Sequence, residues 1–408
     1  MLRGALVVLC CALAAPAQTF TNRGYFETRN YLFPQAGAND SGRAVSEELL
    51  RWEASWKPRP WFQFNAAFDA RFDSHRQFER DLRLDFADRG LERPALSARR
   101  LSAILHKGGL TVEAGRQFVR WGKADILNPT DRFAPKDFLD VISSDFLGVT
   151  ALRATYERGK DTLDAVWQPV FTPSRGPLLN QRWVVLSPES GGVPVADLGS
   201  RFPGRGNLGA RWNHIGGGYE FSLSLFDGFN HLPLFDARLV LAPLPKASIE
   251  RYFARIRMYG ADAAIPLRWF TLKGETAWFT SSTRTADEYL LYVIQAERQH
   301  GEWVFIGGYA GEAVTRNRLQ AGFAPDRGLA KTFLGRASYT LDANRTLAFE
   351  TAVRQNAHGM YLKTEYSQAV GSHLRLTGAF TLLRGKQDDF LGQYNRNSNF
   401  QVVLRYSF

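Results

Sequence analysis

The sequence predicts an all-β protein: one transmembrane antiparallel β-barrel of about 18 strands, with 16 as the alternative, long extracellular loops and short periplasmic turns. Three observations carry this. Apolar and polar residues alternate with period two along most of the chain, the mark of strands with two different faces. From about residue 107 onward, long and short connections alternate, so all the long ones project from one end. The chain stops on an alternating strand ending Arg405-Tyr406-Ser407-Phe408.

Composition narrows the field first. The 408 residues are 45% hydrophobic with a mean hydropathy of −0.27, too polar for a bundle of membrane helices. An aromatic content of 13% excludes a disordered chain, and two Cys exclude a disulfide scaffold. Length alone would suggest about two or three soluble domains. No linker or composition break supports that, so residues 44–408 read as one barrel. The formal charge of +11 raises nucleic acid as a partner. No clustered basic stripe bears it out, and no nucleic acid is expected.

Residues 1–17 read as a signal peptide. Arg3 supplies the positive start, Ala5 to Ala15 the apolar run, and Ala15-Pro16-Ala17 the cleavage pattern, with the cut after Ala17. Both cysteines, Cys10 and Cys11, fall inside it. The protein is therefore expected to be exported, without disulfide or thiol chemistry.

About nineteen segments then alternate at lengths that suit a tilted membrane strand. They lie near 24–33, 44–57, 61–73, 80–87, 97–106, 110–117, 148–157, 160–169, 207–213, 217–227, 251–261, 268–280, 288–298, 302–310, 331–341, 345–354, 359–369, 373–383 and 399–408. An even number is needed to bring both termini to the periplasm. The segment set aside is 24–33, which places 18–43 as an N-terminal periplasmic or lumenal piece, or as an extra strand. Trp212, Trp269 and Trp303 beside short turns, and Trp167 and Trp278 at the opposite strand ends, suggest two aromatic girdles. A soluble sandwich would alternate too, but gives no reason for the loop asymmetry.

The charged face must then line a water-filled lumen, because an Arg facing lipid at mid-membrane costs about 2–4 kcal/mol. The candidate lining is Asp69, Arg71, Arg83, Asp85, Arg153, Arg211, Arg255, Arg257, Lys273, Glu275, Arg336, Glu350 and Arg375. Acids and bases nearly cancel there, so the lining is expected to be mixed.

The most distinctive segment runs Gly115-Arg116-Gln117 through Trp121-Gly122 and Asn128-Pro129-Thr130-Asp131 to Asp137. It opens the first long loop, 118–147. Asn-Pro-Thr-Asp is a strong turn former. Arg116, Arg120 and Lys123 are expected to pair with Asp125, Asp131, Asp137 and Asp140 within the loop, with Trp121 and Asn128 shaping it. Such a loop either folds inward as a constriction or serves as a structural tether.

Two resemblances follow. The terminal strand with Phe408 is similar to that of Gram-negative outer-membrane barrels, where a C-terminal Phe serves as an assembly signal. The G-R-Q…W-G…D…N-P-x-D pattern, with Trp167-Gln168-Pro169-Val170-Phe171-Thr172-Pro173-Ser174, resembles poorly characterised porin-like barrels with distant alginate-export relatives. The resemblance implies an outer-membrane location with lipid, lipopolysaccharide and the barrel assembly machinery as partners. It implies a channel for passive passage of small hydrophilic solutes. It leaves a homo-oligomer open. A non-conducting scaffold or adhesion protein, or a surface enzyme, is the alternative. No enzyme is expected: the seven His show no metal-ligand spacing, and no P-loop, dinucleotide or nucleophile-elbow pattern occurs. No cofactor is expected.

Overall fold

The computed structural model describes residues 19–408 apart from residues 38, 185–188, 191–192, 241–245 and 319–321. The expected signal peptide lies outside the described residues. Among these, eighteen long strands form one closed antiparallel sheet. The first six are β1 (Thr19–Leu32), β2 (Ala44–Arg59), β3 (Phe62–Asp73), β4 (Leu96–Lys107), β5 (Leu110–Gln117) and β6 (Val149–Arg158). Next come β7 (Asp161–Gln168), β8 (Asn207–Ile215), β9 (Glu220–Phe229), β10 (Arg255–Pro266), β11 (Thr271–Ser281) and β12 (Glu288–His300). The last are β13 (Trp303–Arg316), β14 (Thr332–Asp342), β15 (Arg345–Arg354), β16 (Gly359–Val370), β17 (Leu374–Gly385) and β18 (Asn399–Ser407).

Each strand pairs with its neighbours in sequence, and β1 pairs with β18 from Tyr25–Ser407 to Leu32–Phe400. That last pairing closes the barrel and leaves no sheet edge. Short turns join strands at the end holding Thr19 and Phe408. The two-residue turn between β12 and β13 has Gly301 at φ +56°, a left-handed position that suits glycine. At the other end lie nine connections: L1 (33–43), L2 (74–95), L3 (118–148), L4 (169–206), L5 (230–254), L6 (282–287), L7 (317–331), L8 (355–358) and L9 (386–398). The alternation read from residue 107 holds from the first strand.

Side chains sort as the pleat demands. Leu376, Phe380, Phe400, Leu404 and Tyr406 stand exposed on the outer face, while Gln401 and Thr381 are buried on the inner one. Exposed Trp56, Trp61, Trp212 and Trp269 ring the turn end; Trp167, Tyr259 and Trp278 stand near the loop end.

Strand number matches expectation, but two assignments exchange places. All of 24–33 but its last residue lies within β1, which pairs with β2 along its whole length, from Thr19–Lys57 to Leu32–Ala44. The strand carries the charges of Arg23, Glu27 and Arg29. They face inward and are satisfied there: Glu27 is buried and bonds Arg29 (2.6 Å) and Arg405 (2.5 Å), and Arg23 meets Glu53 (2.8 Å). Residues 80–87 are instead part of L2. Only Leu84–Asp85 pairs, in parallel with Leu96–Ser97. Its direction is wrong for a barrel strand, yet Leu82, Leu84 and Phe86 do stand exposed, as the alternation suggested. The segment sits beside the part of β4 that reaches past the end of β5, where the chain leaves the wall as L3.

L4 and L5 carry a small sheet of their own. Val193–Arg201 runs parallel to Lys246–Tyr252, which pairs antiparallel with Leu234–Val240.

Candidate functional site in the barrel lumen

Much of the buried core lies inside the barrel. Val119, Trp121 and Phe133 of L3 pack with inward-facing Val166, Phe226, Met258 and Phe279 of the wall. Trp121 meets Phe133 edge-on at 5.1 Å, and Phe133 meets Phe226 likewise at 5.1 Å. The wall makes room with small residues. A Cβ on Gly209 would lie 2.6 Å from the Phe133 ring and 2.7 Å from Trp121.

Glu275 of β11 is the main anchor. Its carboxylate accepts hydrogen bonds from the backbone N–H of Lys123 (3.0 Å), Ala124 (3.1 Å) and Thr130 (2.9 Å), and from the Thr130 hydroxyl (2.8 Å). Gly122 turns the chain around it at φ +89°, and a Cβ there would sit 2.6 Å from the carboxylate oxygens. The Asn-Pro-Thr-Asp turn closes on itself: Asp131 N–H donates to the Asn128 carbonyl (3.2 Å), and the Asn128 amide donates to the Ala124 carbonyl. The side chains of L3 reach for the wall. Trp121 Nε1 donates to Asp164 (3.0 Å). Lys123 bonds Asn213 (3.1 Å) and Glu220 and lies 3.6 Å from Asp262. Asp125 accepts from Lys273 (2.8 Å) and Gln295.

The expected pairing within the loop is therefore mostly replaced. Arg120 with Asp131 (3.3 Å) is retained, and Arg120 also lies 4.0 Å over the Phe146 ring. Asp137 pairs outside L3, with Arg93 (2.9 Å) and Arg175 (2.7 Å). Burial alone would raise its carboxyl; the two guanidiniums hold it well below the usual carboxylate range. Burial pushes Asp131 up to about 6, against the opposing Trp121 N–H and Arg120, and pushes Asp140 up to about 6 as well. Arg116 takes no part in L3. It donates to the Phe86 carbonyl (2.9 Å) and Asp88 (3.1 Å), tying L2 to the wall. A barrel wall of paired acids and bases offers a loop more partners than the loop offers itself.

The two stretches of the sequence pattern meet. Lys136 N–H donates to Ser174 Oγ (2.9 Å), Arg175 N–H to the Lys136 carbonyl (3.0 Å), and Phe138 N–H to the Arg175 carbonyl (2.8 Å).

Most of the expected lining charges face inward, as cross-strand pairs. Asp69 accepts from Arg51 (2.6 and 2.8 Å) and Arg71 (2.7 Å). Arg153 meets Asp164 (2.7 Å), and Arg211 meets Asp262 (3.0 Å). Arg336 lies 3.5 Å from Glu350, and Arg375 donates to Ser367 (3.1 Å). Four positions are corrected. Arg83 and Asp85 lie in L2, where Asp85 caps the backbone of Ala87 (2.6 Å) and Asp88 (2.7 Å). Arg255 and Arg257 share the outer face with exposed Tyr259 and pair with Asp227 (2.8 and 2.7 Å). The inward residues of that strand end are Ile256 and Met258, buried in the cluster L3 completes. Apolar-out, polar-in fails where a loop fills the lumen.

Other lumenal residues were not expected. A register shift opposite Ala67 and Phe68 brings two consecutive arginines to the lumen: Arg99 bonds Asp145 (2.9 Å) and Arg100 bonds Glu113 (3.0 Å). Arg93, Arg175, Trp183 and Phe390 come from other loops, and only the Pro173-Ser174 neighbour of Arg175 had a sequence signal.

Space is uneven. Beneath L3, beside β1–β4, a polar cavity of about 550 Å³ is lined by Arg23, Arg51, Glu53, Asn65 and Arg100. At the level of L3 on that same side, a cavity of about 60 Å³ remains among Glu47, Arg71, Arg93, Asp137 and Asp145. Between L3 and β14–β16 lies a cavity of about 260 Å³, and one of about 270 Å³ lies above it among L4, L5, L7 and L9.

No family model and no curated protein matches the sequence. Solved structures do match. A BenF-like porin from Pseudomonas fluorescens Pf-5 is 10% identical with a TM-score of 0.55, over 95% of this chain and 98% of that one. Acinetobacter baumannii OccAB1 is 8% identical with a TM-score of 0.54, over 95% and 96%. Acinetobacter baumannii OccAB4 is 10% identical with a TM-score of 0.53, over 96% and 98%. At such identities the likeness is one of architecture: the chain has the closed 18-strand barrel fold of Gram-negative outer-membrane porins.

Proposed function

We propose that this protein is an outer-membrane channel for the passive passage of small hydrophilic, water-soluble solutes, with L3 as its constriction. One observation carries the reading: L3 is bonded inside a closed barrel through Glu275, while a charged cavity of about 550 Å³ stays open beneath it. A tether alone would leave the lumen's width unchanged; this loop fills part of it. The exposed outer face with aromatic bands at both ends suits lipid and headgroups. Residues 1–17 as an export signal fit that location. Phe408 exchanges backbone hydrogen bonds with Gly24 (2.9 Å each way), so the proposed assembly signal sits on the closing seam.

Purified protein in planar lipid bilayers tests this. Discrete conductance steps are expected, enlarged when residues 123–140 are deleted from a barrel that still folds. A folded protein with no conductance step would overturn the channel reading. Unchanged conductance on deletion would overturn the constriction.

A further inference from the structure

The space left around L3 says which solutes the constriction accepts. On the β1–β4 side, at the level of L3, a cavity of about 60 Å³ is laced with ion pairs such as Arg93–Asp137 and Arg93–Glu47 (3.1 Å). That holds a few waters. On the β14–β16 side two cavities of about 260 and 270 Å³ lie one above the other, and Phe390 of L9 lines both. An apolar cavity of about 150 Å³ is enough to hold benzene, so each of these admits a ring.

Apolar side chains make up much of both walls. Pro177, Leu179, Trp183, Phe323 and Tyr394 line the outer cavity. Its charged lining residue, Arg251, is bonded to Asp197 at 2.6 Å. Ile126, Leu127, Phe138, Leu334, Ala352 and Tyr361 line the inner one. Of its five charged lining residues, Asp125 meets Lys273, Asp326 meets Arg132 (3.0 Å) and Arg336 meets Glu350, while Lys136 lies 5.0 Å over the Phe146 ring. Aromatic rings stand close along the way, with Trp183–Tyr394 at 5.5 Å, Phe390–Tyr394 at 5.8 Å and Phe138–Phe323 at 5.5 Å between centroids. A fully hydrated ion gains nothing from such walls. A flat uncharged ring gains burial and edge-to-face contacts.

We propose that these two cavities form a binding corridor for small uncharged solutes carrying one ring on a polar body, with Phe390 as the partition between its halves. This deepens the channel reading and rests on it for the direction of travel, while occupancy of the corridor can be read separately.

The experiment is equilibrium binding to the full barrel in lipid nanodiscs, followed by calorimetry. The probes are phenyl β-glucoside and methyl β-glucoside, both neutral and differing in the ring. Phenyl β-glucoside is expected to bind at least about ten-fold more tightly. Phe390→Ala and Phe323→Ala, both in loops, are each expected to weaken it several-fold to about ten-fold. Arg257→Ala, outside the barrel, is expected to leave it unchanged. Equal binding of the two glucosides, or full phenyl-glucoside affinity in both Phe variants, would overturn the corridor. Potassium chloride conductance measured on the same preparations separates the two readings: its absence, with the ring preference intact, would remove the channel and keep the site.

Discussion

Glu275 concentrates the logic of the site in one residue. Three buried backbone amides and a hydroxyl depend on its carboxylate. An orphaned buried donor costs about 1–3 kcal/mol, so Glu275→Ala should release L3 rather than shift it slightly. Larger and noisier conductance steps are expected in planar bilayers, with the barrel still resistant to unfolding. Steps of wild-type size would show that L3 is held by packing alone. Two loop acids set a pH dependence on the same loop. Burial raises both Asp131 and Asp140 to about 6, above the ordinary carboxylate value. A raised acid is favoured in its protonated form when the loop is docked. The resulting stability is fully present below about 4 and is lost as pH rises through about 6. Asp137 works in the opposite sense but only below the usual carboxylate range. Between pH 7 and 5 the raised pair favours firmer docking of L3 as pH falls, and buried His231 of L5, held down to about 3, is the group that opposes it. Single-channel current noise should drop over that interval, and Asp131→Asn with Asp140→Asn should flatten the change.

At the scale of elements, the seam between β1 and β18 is the most exposed to error and the most informative. Glu27 is buried between Arg29 and Arg405, and so links a β1 residue to β18 across the closure. Removing one partner of a buried pair costs about 3–5 kcal/mol, because the other charge stays behind. Glu27→Ala should lower the free energy of unfolding in guanidinium by that amount, with no comparable effect from Glu53→Ala on the exposed Arg23 pair. Equal shifts would place the strength of the seam in its backbone ladder. The strands themselves were legible because period two survives in nearly every one. What misled was the clean alternation in 82–86, which was counted as a strand while 24–33 was set aside. A one-dimensional pattern shows faces but not partners: the inward charges of β1 are matched by Glu53 and Arg405, one on the next strand and one at the far end of the chain. The same holds for L3. The Asn128-Pro129 turn was readable, while the direction of the loop stayed open between an inward fold and a tether. Its anchors on β7 to β12 were not readable, because each lies more than forty residues away in sequence. The cost of a Cβ at Gly122 or Gly209 likewise shows only once the loop and wall are brought together.

At the scale of the whole molecule, the net charge of +11 has to be placed. The lumen does not hold it as an open field. Arg51, Arg71 and Arg99 gather on Asp69 and Asp145, Arg153 on Asp164, and Arg211 on Asp262. Arg83, Arg255 and Arg257, expected in the lining, lie outside it. Cations with open exposure include Arg257 and Arg316 at the loop end, Arg238 in the small outer sheet, and, at the turn end of the lumen, Arg23 beside Glu53. Paired charges present dipoles to a passing ion, and screening at physiological salt confines each to about 8 Å. Selectivity should then be weak. Under a ten-fold potassium chloride gradient, ideal selectivity gives about 59 mV for a monovalent ion, and this barrel should show less than half of that. The contrast variant is Asp69→Asn, which leaves Arg51, Arg71 and Arg99 with one fewer acceptor above the open cavity beneath L3. Its reversal potential should move towards anion preference by a measurable margin. A strong anion preference in the unaltered protein would mean that the lumenal pairs are open in the conducting state. A variant with no shift would mean that ions pass away from β2–β4.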